Sequence, residues 1–228
     1  MRKMIKSYLV FTSAAYRIVM YILMPVSMIG LIAWMGSNIK EAAILLAAVL
    51  LTMAEILSDS WLFGGIQARD PEKIDYLKTS GRGMGLLRNA LIMDLGRKFL
   101  FSLLIAGAGH YVLRLRGIAF LSGRGLAGDG GGAVQTGVKI GILLCFALTS
   151  YFFSTVGTFL SRFGSLFWIN LLIGYPCMIL TALCPYLILS SGHSIWLFNL
   201  LNMLLCAGAS VLTVYIAMRK CRGGYYDK

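Results

Sequence analysis

Residues 42–98 read AAILLAAVLLTMAEILSDSWLFGGIQARDPEKIDYLKTSGRGMGLLRNALIMDLGRK: an apolar run that gives way at Gly64 to a stretch holding seven Lys/Arg and four Asp/Glu. The apolar part is long enough to cross the ~30 Å hydrocarbon core of a bilayer as a helix, which takes roughly 20 residues. The charged part is far longer than a connection between adjacent helices requires. A span followed by a charged handle describes a membrane domain with a cytoplasmic extension rather than an enzyme with a pocket.

Outward from this stretch, further apolar runs lie near 18–36, 98–115, 138–160, 165–189 and 195–218, making about six spans with 42–63. The composition agrees: of 228 residues 58% are hydrophobic and 13% charged, with a mean hydropathy of +0.79. An ordinary soluble domain is excluded. The expected fold is therefore all-α, a polytopic helix bundle forming one transmembrane domain over 1–228, with a Gly-rich loop at 116–137 and no room for a soluble domain. No small-residue cleavage site follows the first run, so no removable leader is expected.

Orientation follows from the basic residues. With six spans both termini share a side, and that side receives sixteen Lys/Arg against five opposite. The positive-inside rule then makes it cytoplasmic, in a cell membrane crossed several times. Arg114, Arg116, Arg124 and Lys139 on the other side are the exception, and a cytoplasmic placement of their loop would make the third span re-entrant. The net charge of +12 suits anionic lipid headgroups rather than nucleic acid. Cys145, Cys177, Cys184 and Cys206 fall inside apolar runs without metal-ligand spacing and read as packing residues.

Four local features carry information. At the N-terminus, residues 1–17, Met4, Ile5, Tyr8, Leu9 and Tyr16 recur at helical spacing opposite Lys3, Lys6, Ser13 and Arg17, the pattern of an elbow helix lying on the membrane surface or of a basic flank that orients the first span. Within the handle, taken as 64–98, Asp70 suits an N-cap, Pro71 the first helical position and Glu72 the first turn. A short helix is expected from Pro71 to about Thr79, with Ile74 and Leu77 on one face, Tyr76 flanking them, and Asp75 and Lys78 supplying both charge signs. Glycines 81, 83 and 85 end it. Such a helix fits a groove on a soluble partner, or it merely links two spans.

The third feature is Glu55 with Asp59, four residues apart on one face of the second span. Carboxylates inside a span mark an ion path, a polar substrate cavity or a partner cation, and the two outcomes, transport role or structural ion pair, stay open here. Asp94 has Arg97 and Lys98 at three and four residues, an ordinary intrahelical pairing. The fourth feature is the fifth span, where Pro176 and Pro185 predict a kinked helix, followed within 185–195 by a short re-entrant hairpin or by nothing more than the kink. Pro25 likewise predicts a bend in the first span. Gly107 with Gly109, and Gly137 with Gly141, permit close helix contacts.

Several motifs fail on context. GRGLAG at 123–128 matches G-x-G-x-x-G without the strand, helix and downstream acid of a dinucleotide fold, and no G-x-x-x-x-G-K-[ST] occurs. His110 and His193 have no second ligand at metal spacing.

The order of parts resembles the membrane subunit of an ABC-2 type exporter: an elbow (Arg2 to Arg17), six spans, a long cytoplasmic loop after the second, and a proline-bent fifth span. The resemblance covers the whole chain and is architectural. It implies that Asp70, Pro71, Glu72, Ile74, Asp75, Tyr76, Leu77 and Lys78 form the coupling helix, which docks on a soluble P-loop ATPase. ATP and magnesium would then be bound by that partner, with no cofactor on this chain, and a second permease chain would complete the pathway. It also implies no enzymatic activity here, and export of an amphipathic peptide, drug or lipid by alternating access. The contrasting reading is an ion-coupled secondary transporter or channel that uses Glu55 and Asp59. A third is a membrane sensor or assembly factor whose basic loop recruits a partner.

Overall fold

Helix α1 (Arg2–Phe11) ends where the chain turns at Thr12 and Ser13. Thr12 Oγ1 donates to the Tyr8 carbonyl at 3.1 Å, satisfying an acceptor of the last turn. Ser13 is extended (φ −71°, ψ 158°), and its Oγ accepts from the Tyr16 N–H at 3.1 Å, capping the next helix. Ser13→Ala removes that cap and should cost about 1 kcal/mol. The expected readout is a fall of about 2–4 °C in melting temperature, with Ser13→Asp keeping the wild-type value.

Helix α2 (Ala14–Ile39) runs on without interruption, but its Val19–Leu23 segment is a π turn, in which the Met24 N–H reaches back to the Val19 carbonyl. The cause is next door in sequence. Pro25 has no N–H to offer, and its ring crowds the carbonyl one turn earlier. The irregularity expected at Pro25 thus takes the form of a widened turn just before it.

The computed structural model describes residues 2–39, 42–59, 82–116, 132–161, 167–191 and 194–222, and among these every regular element is a helix. The remaining helices are α3 (Ala42–Asp59), α4 (Gly83–Leu115), α5 (Gly132–Ser161), α6 (Phe167–Ser191) and α7 (Ile195–Arg222). Three helices are long and apolar enough to cross a membrane, over Ala14–Ile39, Thr136–Leu160 and Ile195–Arg219; Ala42–Ser58 and Leu171–Leu187 are shorter apolar stretches. The expected coupling helix, Asp70 to Thr79, lies outside the described residues.

Helix α5 is the hub. Two-thirds (67%) of its apolar window is buried, against 22% for those of α2 and α7, and α3, α4, α6 and α7 all pack against it. Met28 and Ile32 of α2, Ala43, Ile44, Ala47 and Leu51 of α3, Ile105 and Leu113 of α4, and Ile142 and Phe146 of α5 form the main apolar cluster. Outward, Leu197, Leu200, Leu201 and Leu204 on α7 and Leu172, Ile179 and Leu183 on α6 are exposed. Apolar surface on that scale suits hydrocarbon rather than water.

Between helices in lipid, close contact depends on small residues and polar bonds more than on hydrophobic burial. A Cβ on Gly109 would meet Ile32 at 2.7 Å, and one on Gly141 would meet Ile195 at 2.8 Å, so both are contact points as expected. Gly107 and Gly137 face open space instead: Gly107 lies two residues from Gly109, on another side of α4, and Gly137 shares a face with Gly141 but lies a full turn before its contact with Ile195. Gly157 and Gly174, which carry the contacts of α5 and α6 with Ile56 and Met53 of α3, complete the set.

Three further features are settled by the packing. On α1 the docked stripe is Met4, Ser7, Tyr8 and Phe11, while Ile5 and Leu9 remain exposed. The helix is turned so that Tyr8 and Phe11 join Tyr16, Met20 and Ala90 in a small core against α2 and α4. Regular helix begins at Gly83, close to Met84 where the apolar pattern starts, so the handle does not extend to Lys98: Arg97 and Lys98 are 4% and 2% exposed. They point into the bundle rather than toward water. Finally, α6 passes as helix through Pro176 and Pro185 to Ser191, and α7 starts at Ile195, so the described residues of 185–195 form no re-entrant hairpin. Thr181 Oγ1 donates to the Cys177 carbonyl at 2.7 Å, a buried side-chain bond within α6.

Candidate functional site

The chemistry concentrated inside the bundle is a set of four ionisable side chains from α3 and α4. Glu55 is 1% exposed on α3; Asp94, Arg97 and Lys98 are 1%, 4% and 2% exposed on α4. Arg97 donates from Nη1 to Glu55 Oε1 at 2.7 Å and from Nη2 to Glu55 Oε2 at 2.6 Å. This is the two-pronged geometry in which a guanidinium binds a carboxylate best. Arg97 Nη2 also donates to Asp94 Oδ1 at 3.0 Å, and Lys98 Nζ lies 3.1 Å from Asp94 Oδ2.

Two anions and two cations leave the cluster neutral, as a site shielded from water requires: an unmatched charge in low dielectric is severely penalised. The spacing on α4 does much of the arranging. Residues three and four apart share a face, so Asp94 meets both cations from within its own helix and holds Arg97 toward α3.

The cluster extends to the neighbouring helices. Lys98 Nζ donates to Thr158 Oγ1 of α5 at 3.0 Å, and Thr158 Oγ1 in turn donates to the Thr155 carbonyl at 3.1 Å. The Arg97 guanidinium carbon lies 5.9 Å from the Tyr16 ring of α2 and 5.5 Å from that of Phe101. Both rings are within reach of a cation–π attraction. Arg97 is therefore where α2, α3 and α4 converge, and Lys98 adds α5.

One helical turn away on α3, a layer of hydroxyls continues the polar path. Thr52 Oγ1 and Ser150 Oγ are 3.0 Å apart, Ser150 Oγ donates to the Ala48 carbonyl at 3.0 Å, and Thr181 Oγ1, whose proton goes to the Cys177 carbonyl, lies 3.4 Å from Thr52 Oγ1. On the other flank of α5, Asn202 donates to Thr149 at 3.2 Å and Asn199 to the Gly141 carbonyl at 2.8 Å. Thr149, Ser150, Ser154, Thr155 and Thr158 are all buried, and α5 presents hydroxyls to α3, α4 and α7.

Of the residues singled out in the sequence, Asp94 pairs with Arg97 and Lys98 as its spacing predicts. Glu55 faces Arg97, the ion-pair alternative for that residue. The Asp59 backbone belongs to α3, while its side chain lies outside the described residues. The Glu55–Arg97 pair joins residues 42 apart, and the sequence signal that points to it is charge balance: one acid inside one apolar run and a surplus cation at the start of the next. The serines and threonines at 149–158 were equally visible, as a polar cluster within an apolar run. Among the described residues no group of His, Cys, Asp and Glu is placed to hold a metal ion. No family model matches the chain, and no curated protein or solved structure matches it.

Proposed function

We propose that the chain is the membrane-spanning permease subunit of an ATP-driven ABC-2 type exporter. Six spans with both termini cytoplasmic would carry an amphipathic peptide, drug or lipid, with ATP and magnesium bound by a separate soluble P-loop ATPase. A second permease chain, identical or different, would form the other half of the pathway.

The observation that carries this reading is the length and anchoring of α4. Its 33 residues span about 50 Å at 1.5 Å each, well beyond the ~30 Å hydrocarbon core. The surplus falls at the N-terminal end, where Arg82 and Arg88 are exposed, α1 packs alongside, and the charged segment with Asp70 to Lys78 enters. The same helix carries Asp94, Arg97 and Lys98, whose bonds reach α3 and α5. A push on the coupling segment would travel along one continuous rod and arrive at a cluster that grips two other helices. That is the mechanical requirement for nucleotide-driven alternating access.

An ion-coupled transporter would need a carboxylate free to bind its ion. Both oxygens of Glu55 are taken by Arg97, so no observation favours that reading.

The test is affinity purification in mild detergent from the native host, followed by mass spectrometry. A soluble P-loop ATPase is expected to accompany the chain, and Ile74→Asp with Leu77→Asp should reduce its recovery about tenfold or more, the loss of a central apolar anchor. Stable purification of the wild-type chain with no ATPase would overturn the proposal.

A further inference from the structure

Where α1 meets the start of α2, an apolar groove of about 480 Å³ opens to the outside of the bundle, a volume typical of small-molecule pockets, roughly 300–1,000 Å³. Ile5 and Leu9 line one wall from α1, and Ile18 and Ile22 line the other from α2. Each pair is four residues apart, so each forms a ridge along its helix. Among the described residues Arg17 is the one charged member of the lining, and it directly precedes the apolar run of α2. The π turn at Val19–Leu23 builds part of this wall, and such turns recur at functional sites. Tyr8 also lines the groove and is 3% exposed.

We propose that this groove binds an anionic glycerophospholipid, with the phosphate on Arg17 and an acyl chain between the two apolar ridges. The order of chemistry along the groove matches the molecule. A guanidinium suited to two-pronged phosphate binding stands at the level where the apolar run begins, and Ile18 and Ile22 descend from it toward the hydrocarbon. The exposed edges of Ile5 and Leu9, surplus to the docking of α1 on α4, gain a partner. With a net charge of +12, the chain also favours an anionic over a zwitterionic headgroup. The site would fasten the α1–α2 elbow to a lipid of the cytoplasmic leaflet. This inference rests on α2 lying in a membrane and is independent of any ATPase.

The test uses the full chain in nanodiscs of mixed dioleoyl phosphatidylglycerol and dioleoyl phosphatidylcholine. Native mass spectrometry should show one phosphatidylglycerol retained in preference to phosphatidylcholine by about tenfold. Arg17→Gln should abolish the preference, and Arg17→Lys should keep most of it. Ile22→Trp, which fills the groove, should remove the retained lipid altogether. A second measurement needs no variant: a photoreactive phosphatidylglycerol with its label in the acyl chain should crosslink to peptides containing residues 5–9 and 18–22, and excess unlabelled phosphatidylglycerol should compete better than phosphatidylcholine. Equal retention of the two lipids by the wild type, or crosslinks spread evenly over the exposed faces of α6 and α7, would overturn the proposal.

Discussion

Arg97→Met is expected to destabilise the protein by about 3–5 kcal/mol, the usual consequence of removing one partner from a buried ion pair. The loss does not come mainly from the missing attraction. It comes from Glu55, left 1% exposed with the partner of both its oxygens gone. Asp94 suffers less because Lys98 still lies 3.1 Å away. The double variant Glu55→Gln/Arg97→Met removes the orphaned charge, so it should recover most of the loss, and the coupling energy in the cycle should exceed about 1 kcal/mol. Arg97→Lys keeps the charge but cannot reach both oxygens, and it should fall between the wild type and Arg97→Met. Reversible unfolding of the purified chain in mixed micelles is the measurement. A cost for Arg97→Met below about 1 kcal/mol would mean that water reaches the cluster, and the view of it as a sealed joint would have to be abandoned.

The contrast between Asp94 and Glu55 shows how far the sequence reaches. Asp94 with Arg97 and Lys98 was legible because the α-helical repeat alone puts those residues on one face. Glu55 with Arg97 depends on how α3 and α4 are rotated and staggered against each other, which hydropathy does not encode. The helices themselves were legible from apolar length. The π turn was half legible: Pro25 announced an irregularity without specifying its form. On α1 the pattern offered more apolar positions than one docked stripe can use, and only the small core of Tyr8, Phe11, Tyr16, Met20 and Ala90 decides which edge turns inward. Composition likewise marked which runs are apolar but not that α5 would be the hub, because burial on all sides follows from the arrangement of the other helices.

The hub position has a consequence for how motion would pass through the bundle. α4 is bonded to α3 through Arg97 and to α5 through Lys98, while α3 is bonded to α5 and α6 through Thr52. Displacing the N-terminal half of α4 therefore has to displace α3 and α5 with it or break charged bonds inside the bundle. α7 stands partly apart. It is held to α5 by Asn199, Asn202 and Tyr151–Ser210 and makes no bond to the ion cluster among the described residues, so it is linked to the charges only through α5.

Gly157→Val is expected to be as damaging as the loss of Arg97, by a steric route. A Cβ at Gly157 would run into the Ile56 side chain and come within 3.2 Å of Cys177 Sγ, so even alanine forces α3 and α6 away from α5. Alanine should cost about 1–3 kcal/mol, the range for overpacking a dense interior, and the two γ-methyls of valine more. Gly157 neighbours Thr158, the Lys98 partner, and Ile56 neighbours Glu55, the Arg97 partner. Spreading the helices at this point therefore also stretches the ion cluster, and the two effects should reinforce each other. Ile56→Ala creates the missing space: in the Gly157→Ala background it should cost at least about 1 kcal/mol less than in the wild type, since neighbouring substitutions couple. Gly208→Ala is the contrast, because a Cβ there meets nothing within 4 Å, and helix propensity alone should make it neutral or stabilising by up to about 1 kcal/mol. Unfolding measured on the five variants in one micelle system separates the alternatives. Equal, small effects at 157 and 208 would mean that α3 and α5 do not meet at Gly157, whereas a large cost at 157 relieved by Ile56→Ala locates the tightest contact of the bundle beside its buried charges.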